Sequence, residues 1–234
     1  MVTELEIGGV HVDVVRKDIK NLHLSVYPPT GRVRIAAPTR TSMDTIRAFA
    51  ITRLVWIRRH QRKVTMQERE TPREYIDRES HYVWGERVLL MVVTKNEPPK
   101  VTRQHKTLVM QVRPDATTQQ REDVLEAWYR EELRSAAAPL VDKWQAWLSL
   151  EARAIYVQRM RTKWGSCNTF SRNIRLNTDL AKKPPECLDY VVLHELAHLK
   201  VRLHTSEFFT LLDHAMPQWR EIRKSLNVLP LRAQ

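Results

Sequence analysis

Three histidines and a glutamate stand in the run VVLHELAHLKVRLH, residues 191 to 204, among side chains that otherwise read as a buried helix. Leu or Ala would pack there at less cost, because a buried titratable group must be paired or hydrogen-bonded. On a helix His194 and His198 are one turn apart, about 6 Å along the axis, so two imidazoles converge on one point. Zinc takes imidazole nitrogen at about 2.0–2.1 Å, and this spacing is a common helical answer to that demand. Glu195 is rotated by about 100° from His194. It need not ligate, and it can instead reach a water on the ion as general base. The order is HExxH, with two ligands and a base on one helix. Leu193, Leu196, Ala197 and Leu199 enclose the polar residues, as a helix packed in a core requires.

Catalytic zinc needs a third protein ligand and an open position. His204 follows His198 by six residues, and on an unbroken helix it would point about 240° away and miss the ion. The chain must therefore turn between about Val201 and Thr205, and Thr205 or Ser206 offers the cap from which a new helix begins. His204 in that turn is the foremost third ligand, with Glu207, Asp213 and His214 as rivals. Cys167 as a fourth ligand would close the site and leave Glu195 no water to activate. An oxyanion needs a donor, and Arg159, Arg161, Lys163, Arg202 and Tyr190 are close in sequence to the helix. Arg161, Lys163 and Tyr190 are the substrate-binding candidates. Tyr190, four residues before His194, fits equally well as a core residue with a bonded hydroxyl.

The elements that must position these groups are legible from periodicity. VHVDVV, LHLSVY and RVRIAA alternate as strands and predict an antiparallel meander over the first 40 residues. Residues 42 to 66 take helical spacing from a Thr41/Ser42 cap, and HYVWGERVLLMVVT, PKVTRQH and TLVMQVR return to strand character. A long helical pattern runs from about Thr117 to Leu150, where Pro139 should kink or split it. AIYVQRM and NIRLNTDL then read as a hairpin joined by RTKWGSCNTFSR, Pro184-Pro185 opens the histidine helix, and helices at about 206 to 214 and 217 to 226 follow. The predicted architecture is α+β: an antiparallel β-rich N-terminal half with helices over 1–116, and over 117–234 a zincin-like half with the long helix, hairpin, HExxH helix and C-terminal helices.

The motifs TKWGSCNTFSRNIRLN and PPECLDYVVLHELAHLKVRLHTSEFF resemble the YgjP-type, WLM-related metallopeptidase domain, which is similar to SprT and minigluzincin-like zincins. The resemblance is specific over about residues 150 to 226 and rests on element order over 1 to 140. It implies Zn2+ held by His194, His198 and His204, with Glu195 as base, acting on a peptide bond in a protein or peptide. In zincins an edge strand beside the active-site helix pairs with extended substrate, and the hairpin at residues 155 to 178 stands in the right place in the sequence. Two departures stand out. Val201 occupies the position where metzincins have glycine, and the turn NTFSRN has no glycine before its second strand.

Composition sets the remaining bounds. Two cysteines in 234 residues read as a reducing compartment, and no early apolar run reads as a secretory leader, so a cytoplasmic location is expected. No stretch of 18 apolar residues predicts a membrane span. The net charge of +12 suits an acidic partner, nucleic acid included. TRLVWIRRHQRK, residues 52 to 63, is its most concentrated segment and reads first as a solvated helix face. Two rival functions follow: hydrolysis of a nucleotide phosphoanhydride by the same metal, weakened by the lack of a P-loop, and a nucleic-acid-binding module with structural zinc.

Overall fold

Valine and isoleucine at every second position bury one face of the early strands, and these strands build the first of two compact units, Met1–Thr71. The computed structural model describes residues 2–27, 30–66, 73–160 and 163–228; Arg161 and the Lys63 side chain lie outside them. The strands are β1 (Val2–Ile7), β2 (Val10–Lys17), β3 (His23–Tyr27) and β4 (Arg32–Pro38), and they are followed by α1 (Met43–Thr52) and α2 (Leu54–Met66). Their order in the sheet is β1-β2-β4-β3, with β2 parallel to β4 and the other pairs antiparallel. The meander is thus corrected. Strands β2 and β4 carry the fully buried Val12, Val14, Val33 and Ile35, so they take the centre, and the half-buried β3 goes to an edge. Ser42 caps α1 by accepting from the Thr45 amide at 3.2 Å, and Ile46, Ala50 and Ile57 close the core.

The second unit, Pro72–Leu229, begins with the same plan. Strands β5 (Ser80–Val83), β6 (Glu86–Thr94), β7 (Lys100–Gln104) and β8 (Thr107–Val112) form a sheet ordered β5-β6-β8-β7, again with one central parallel pair, and a helix follows. Val10 and Glu86, His23 and Lys100, Arg32 and Thr107, and Met43 and Thr118 open equivalent elements, so each unit contains a ββββα module. The expected boundary at 116/117 falls inside this unit, because Val88, Leu90, Leu108 and Met110 share one core with the helices that follow.

α3 (Thr118–Leu148) starts at a capping box between Thr117 and Gln120 and runs unbroken through Pro139. Pro139 is exposed, while Leu125, Tyr129, Leu133, Ala137, Val141, Trp144 and Leu148 form one buried stripe on both sides of it. Packing of that stripe outweighs the roughly 3 kcal/mol that an interior proline costs. β9 (Ala154–Gln158), β10 (Gly165–Asn168) and β11 (Asn173–Asn177) form a third sheet ordered β10-β11-β9. The expected hairpin is corrected in one respect: β9 runs parallel to β11, and the antiparallel partner of β11 is β10, formed from the WGSC segment. In the glycine-free turn Asn168 accepts from the amides of Phe170 and Ser171, and Arg172 takes the left-handed conformation, φ 55°, that glycine would have filled. A 3-10 turn, Thr178–Lys182, leads to α4 (Pro185–Ala197), then α5 (Ser206–Ala215) and α6 (Trp219–Val228). No helix among the described residues is long and apolar enough to cross a membrane.

Candidate metal centre

α4 is held on three sides before any metal is considered. Its α3-facing side is tied by Asp189, which accepts from Trp144 Nε1 and pairs with Lys143 Nζ at 3.1 Å. Its entry is fixed by the turn between β5 and β6. The Trp84 amide donates to the Ala181 carbonyl at 2.8 Å, and Gly85, φ 81°, lies so close to Pro184 that a Cβ would come within 3.0 Å of the ring. Val191, Val192, Leu193, Leu196 and Ala197 bury the rest of the helix. His194, Glu195 and His198 therefore project from a rigid element.

α4 ends at Ala197 with His198 as its last, cap residue. The amides of Lys200 and Val201 both return to the Ala197 carbonyl, tightening the chain into a turn. Thr205 is the extended cap residue of α5, though its side chain makes no capping bond. His204 swings back in that connection. Its Nε2 lies 3.1 Å from Nε2 of His194, and the candidate ligand atoms of the three imidazoles all lie within 4.8 Å of one another. The ring centroids form a nearly equilateral triangle with sides of 5.0, 5.0 and 4.8 Å. A tetrahedral ion with bonds of about 2.0–2.1 Å would set nitrogens about 3.3 Å apart and centroids about 5.2 Å apart, so the donor set fits zinc.

Two of the three remaining nitrogens are engaged in the sense such a site needs. His198 Nδ1 lies 3.3 Å from the Val201 carbonyl and His194 Nδ1 lies 3.3 Å from Tyr190 Oη, which leaves the Nε2 lone pairs for the centre. Phe208, fully buried, lies under all three rings at 5.1, 4.7 and 4.8 Å. Burial, aided by His198, His204 and the charge of Arg223, pushes His194 down to about 3. Burial also lowers His198 and His204, which favours the neutral form that a ligand needs.

Glu195 is 7% exposed, and burial pushes its carboxyl up to about 7 against the pull of Lys163. It rests on the backbone of β10. A Cβ on Gly165 would stand 2.7 Å from both Cγ and Oε1 of Glu195, so only glycine leaves room for the carboxylate there. Cys167, two residues on, has its thiol pushed up to about 11 by burial and by Glu195.

The rivals for the third position are placed elsewhere in their bonding. Asp213 accepts from Trp219 Nε1 at 2.7 Å and pairs with Arg220. Among the described residues, the group of three or more His, Cys, Asp or Glu side chains close enough to hold an ion is His194, His198 and His204, without Glu207, His214 or Cys167. Lys163 is exposed and its charge reaches Glu195, whereas Arg159 pairs with Glu122 at 3.2 Å. Tyr190 is buried against His194, with its hydroxyl pushed up to about 12 by burial. Sequence reasoning missed Phe208, whose only signal was an aromatic near the start of α5. It also missed Asn177. That side chain donates to the carbonyls of Met160 and Lys163 at 2.9 and 2.8 Å and accepts from the Met160 amide, clamping the approach to β10.

Three imidazoles close enough to hold one ion, two of them on the helix that also carries a buried carboxylate, are a donor set that metal-dependent hydrolysis can use. The chain belongs to the family of the YgjP-like metallopeptidase domain, which matches residues 20–228. It is on that ground a metallopeptidase, with a catalytic metal and protein or peptide substrates as the family's attributes. Among solved structures it is similar to the metallopeptidase zymogen of Pyrococcus abyssi abylysin, at 19% identity and a TM-score of 0.37 over 42% of this chain and 99% of that one. It is also similar to the zymogen of Methanocaldococcus jannaschii jannalysin, at 25% identity and 0.36 over 38% of this chain and 86% of that one. No curated protein matches the chain.

Proposed function

We propose that the chain is a zinc-dependent peptidase in which His194, His198 and His204 hold the ion and Glu195 is the general base. The observation that carries this reading is the triangle of imidazoles, able to hold one ion, with the buried Glu195 on the helix that carries two of them. Zinc held there supplies a Lewis acid that acidifies water and polarises a carbonyl. Glu195 takes the proton of the attacking water and passes it to the leaving amine, a role for which a value near the working pH is best suited. Gly165 lets the carboxylate lie flat on β10, and Asn177 fixes the segment that leads into that strand. Tyr190 and the Val201 carbonyl orient His194 and His198, and Phe208 keeps the rings from turning.

Among the described residues β10 is an edge strand, paired with β11 alone. An extended peptide added to its open edge would pass the Glu195 carboxylate with main-chain hydrogen bonds, the mode of strand addition. The test is digestion of casein and of a peptide mixture by zinc-loaded protein, with new termini read by mass spectrometry. New termini should appear with wild type and vanish with Glu195→Gln while its zinc content is unchanged. Cleavage that persists in that variant would remove Glu195 as the base.

A further inference from the structure

Beside the metal centre the molecule has an open pocket of about 530 Å³ lined by Phe209, Trp219, Arg220, Arg223, Lys224 and Asn227, none of the described lining residues being acidic. Two aromatic rings connect it to the centre. Phe209 stacks on His204 at 6.2 Å and on Trp219 at 5.7 Å with an interplanar angle of 4°. α6 presents it two faces: Trp219, Ile222 and Leu226 are buried, and Arg220, Arg223 and Lys224 stand exposed along the rim. Arg220 is committed. It pairs with Asp213 through both guanidinium nitrogens and lies over the Trp219 ring at 4.5 Å. Arg223 and Lys224 carry no ion pair among the described residues. The charge of Arg223 is felt at His194 and His204, which places it on the same side of the molecule as the triad.

We infer that this pocket is a substrate subsite for an acidic residue of the peptide, with Arg223 and Lys224 as the charges that select it; the inference rests on the peptidase reading above. The aromatic floor takes the methylene stem of an Asp or Glu and the two free cations take its carboxylate. An extended chain advances roughly 3.3 Å per residue, so the pocket lies within about four residues of the bond at the metal. A pocket of this volume takes a short stretch of the peptide, and its two free cations suit one or two carboxylates and are too few for tracking a nucleic-acid backbone.

Binding to zinc-loaded Glu195→Gln protein separates this from activity. The probes are two fluorescein-labelled decapeptides, one with an Asp-Glu pair and one with Asn-Gln in its place, followed by fluorescence anisotropy. The acidic peptide should bind roughly tenfold more tightly, the scale two partly exposed ion pairs give. Arg223→Gln/Lys224→Gln should bring the two affinities together by weakening the acidic peptide alone. Arg223→Glu/Lys224→Glu should prefer a Lys-Lys peptide. Equal affinities in the parent, no binding of either peptide, or a preference that survives the double substitution overturns the subsite. So does binding of a single-stranded oligonucleotide that competes away the peptide and is itself lost in the double variant. If the binding preference holds and zinc-loaded wild type cleaves neither peptide nor casein, the peptidase reading fails and the carboxylate site stands.

Discussion

In the metal-depleted protein, replacing Glu195 with Gln should stabilise the fold, and the gain should grow with pH. Burial holds the native carboxyl at about 7, where the ordinary value is 4.5. Between those values the unfolded chain has lost its proton and the native chain still holds it. The unfolded state thus binds fewer protons, and stability falls as pH rises through this window. The gap of about 2.5 units, at 1.36 kcal/mol each, puts the full cost of ionised buried Glu195 at about 3 kcal/mol above pH 7; under about 1 kcal/mol of it has accrued at pH 5. Gln has nearly the same shape and no charge. Urea unfolding of EDTA-treated wild type and Glu195→Gln, followed by tryptophan fluorescence, should give a stability difference about 2–3 kcal/mol larger at pH 8 than at pH 5. Other titrating groups cancel in the comparison. Zinc should shrink the difference, because a cation beside the carboxylate favours its charged form. A difference that is the same at both pH values would mean that the carboxylate is solvated or paired in the native state, and the account of its burial would be wrong.

Gly165→Ala should push Glu195 off β10 by about 1 Å, lowering kcat/KM by about a hundredfold while zinc content stays at wild-type level; activity within twofold of wild type would show that the carboxylate does not depend on that backbone. Tyr190→Phe deprives His194 Nδ1 of its partner and should weaken zinc affinity about tenfold in a chelator competition, with little change in the peptide bonds cut. Asn177→Ala leaves the partly buried carbonyls of Met160 and Lys163 and the Met160 amide without their side-chain partner, and should cost about 1–2 kcal/mol in urea unfolding, with the WGSC strand the first segment to lose protection in hydrogen exchange.

What the sequence made legible was local. HExxH follows from the helical period, and the need for a turn before His204 follows from counting residues around a helix; the structure places that turn and brings the imidazole back. The helix start at Ser42 was visible because cap chemistry is written in one or two residues. Strand order was not visible. Whether β4 lies beside β2 or outside β3 depends on which strands carry the most buried faces, a comparison between segments that no window of sequence makes. Pro139 misled because its cost is local while the stripe from Leu125 to Leu148 that overrides it is spread along α3. Arg172 in the left-handed region hid the turn that a glycine would have announced, since the side chain of Asn168 stabilises it instead. The pocket on α6 was invisible for a similar reason: Phe209 and Trp219 are ten residues apart and meet only when α5 and α6 pack.

The most direct test of the central claim is zinc content per chain by mass spectrometry on wild type, His198→Ala, His204→Ala and Glu195→Gln, each prepared with zinc present and then exchanged into metal-free buffer. The account predicts one zinc in wild type and in Glu195→Gln and its loss in both histidine variants. Full zinc in His204→Ala would move the third ligand elsewhere, and wild type without zinc would contradict the metal centre itself.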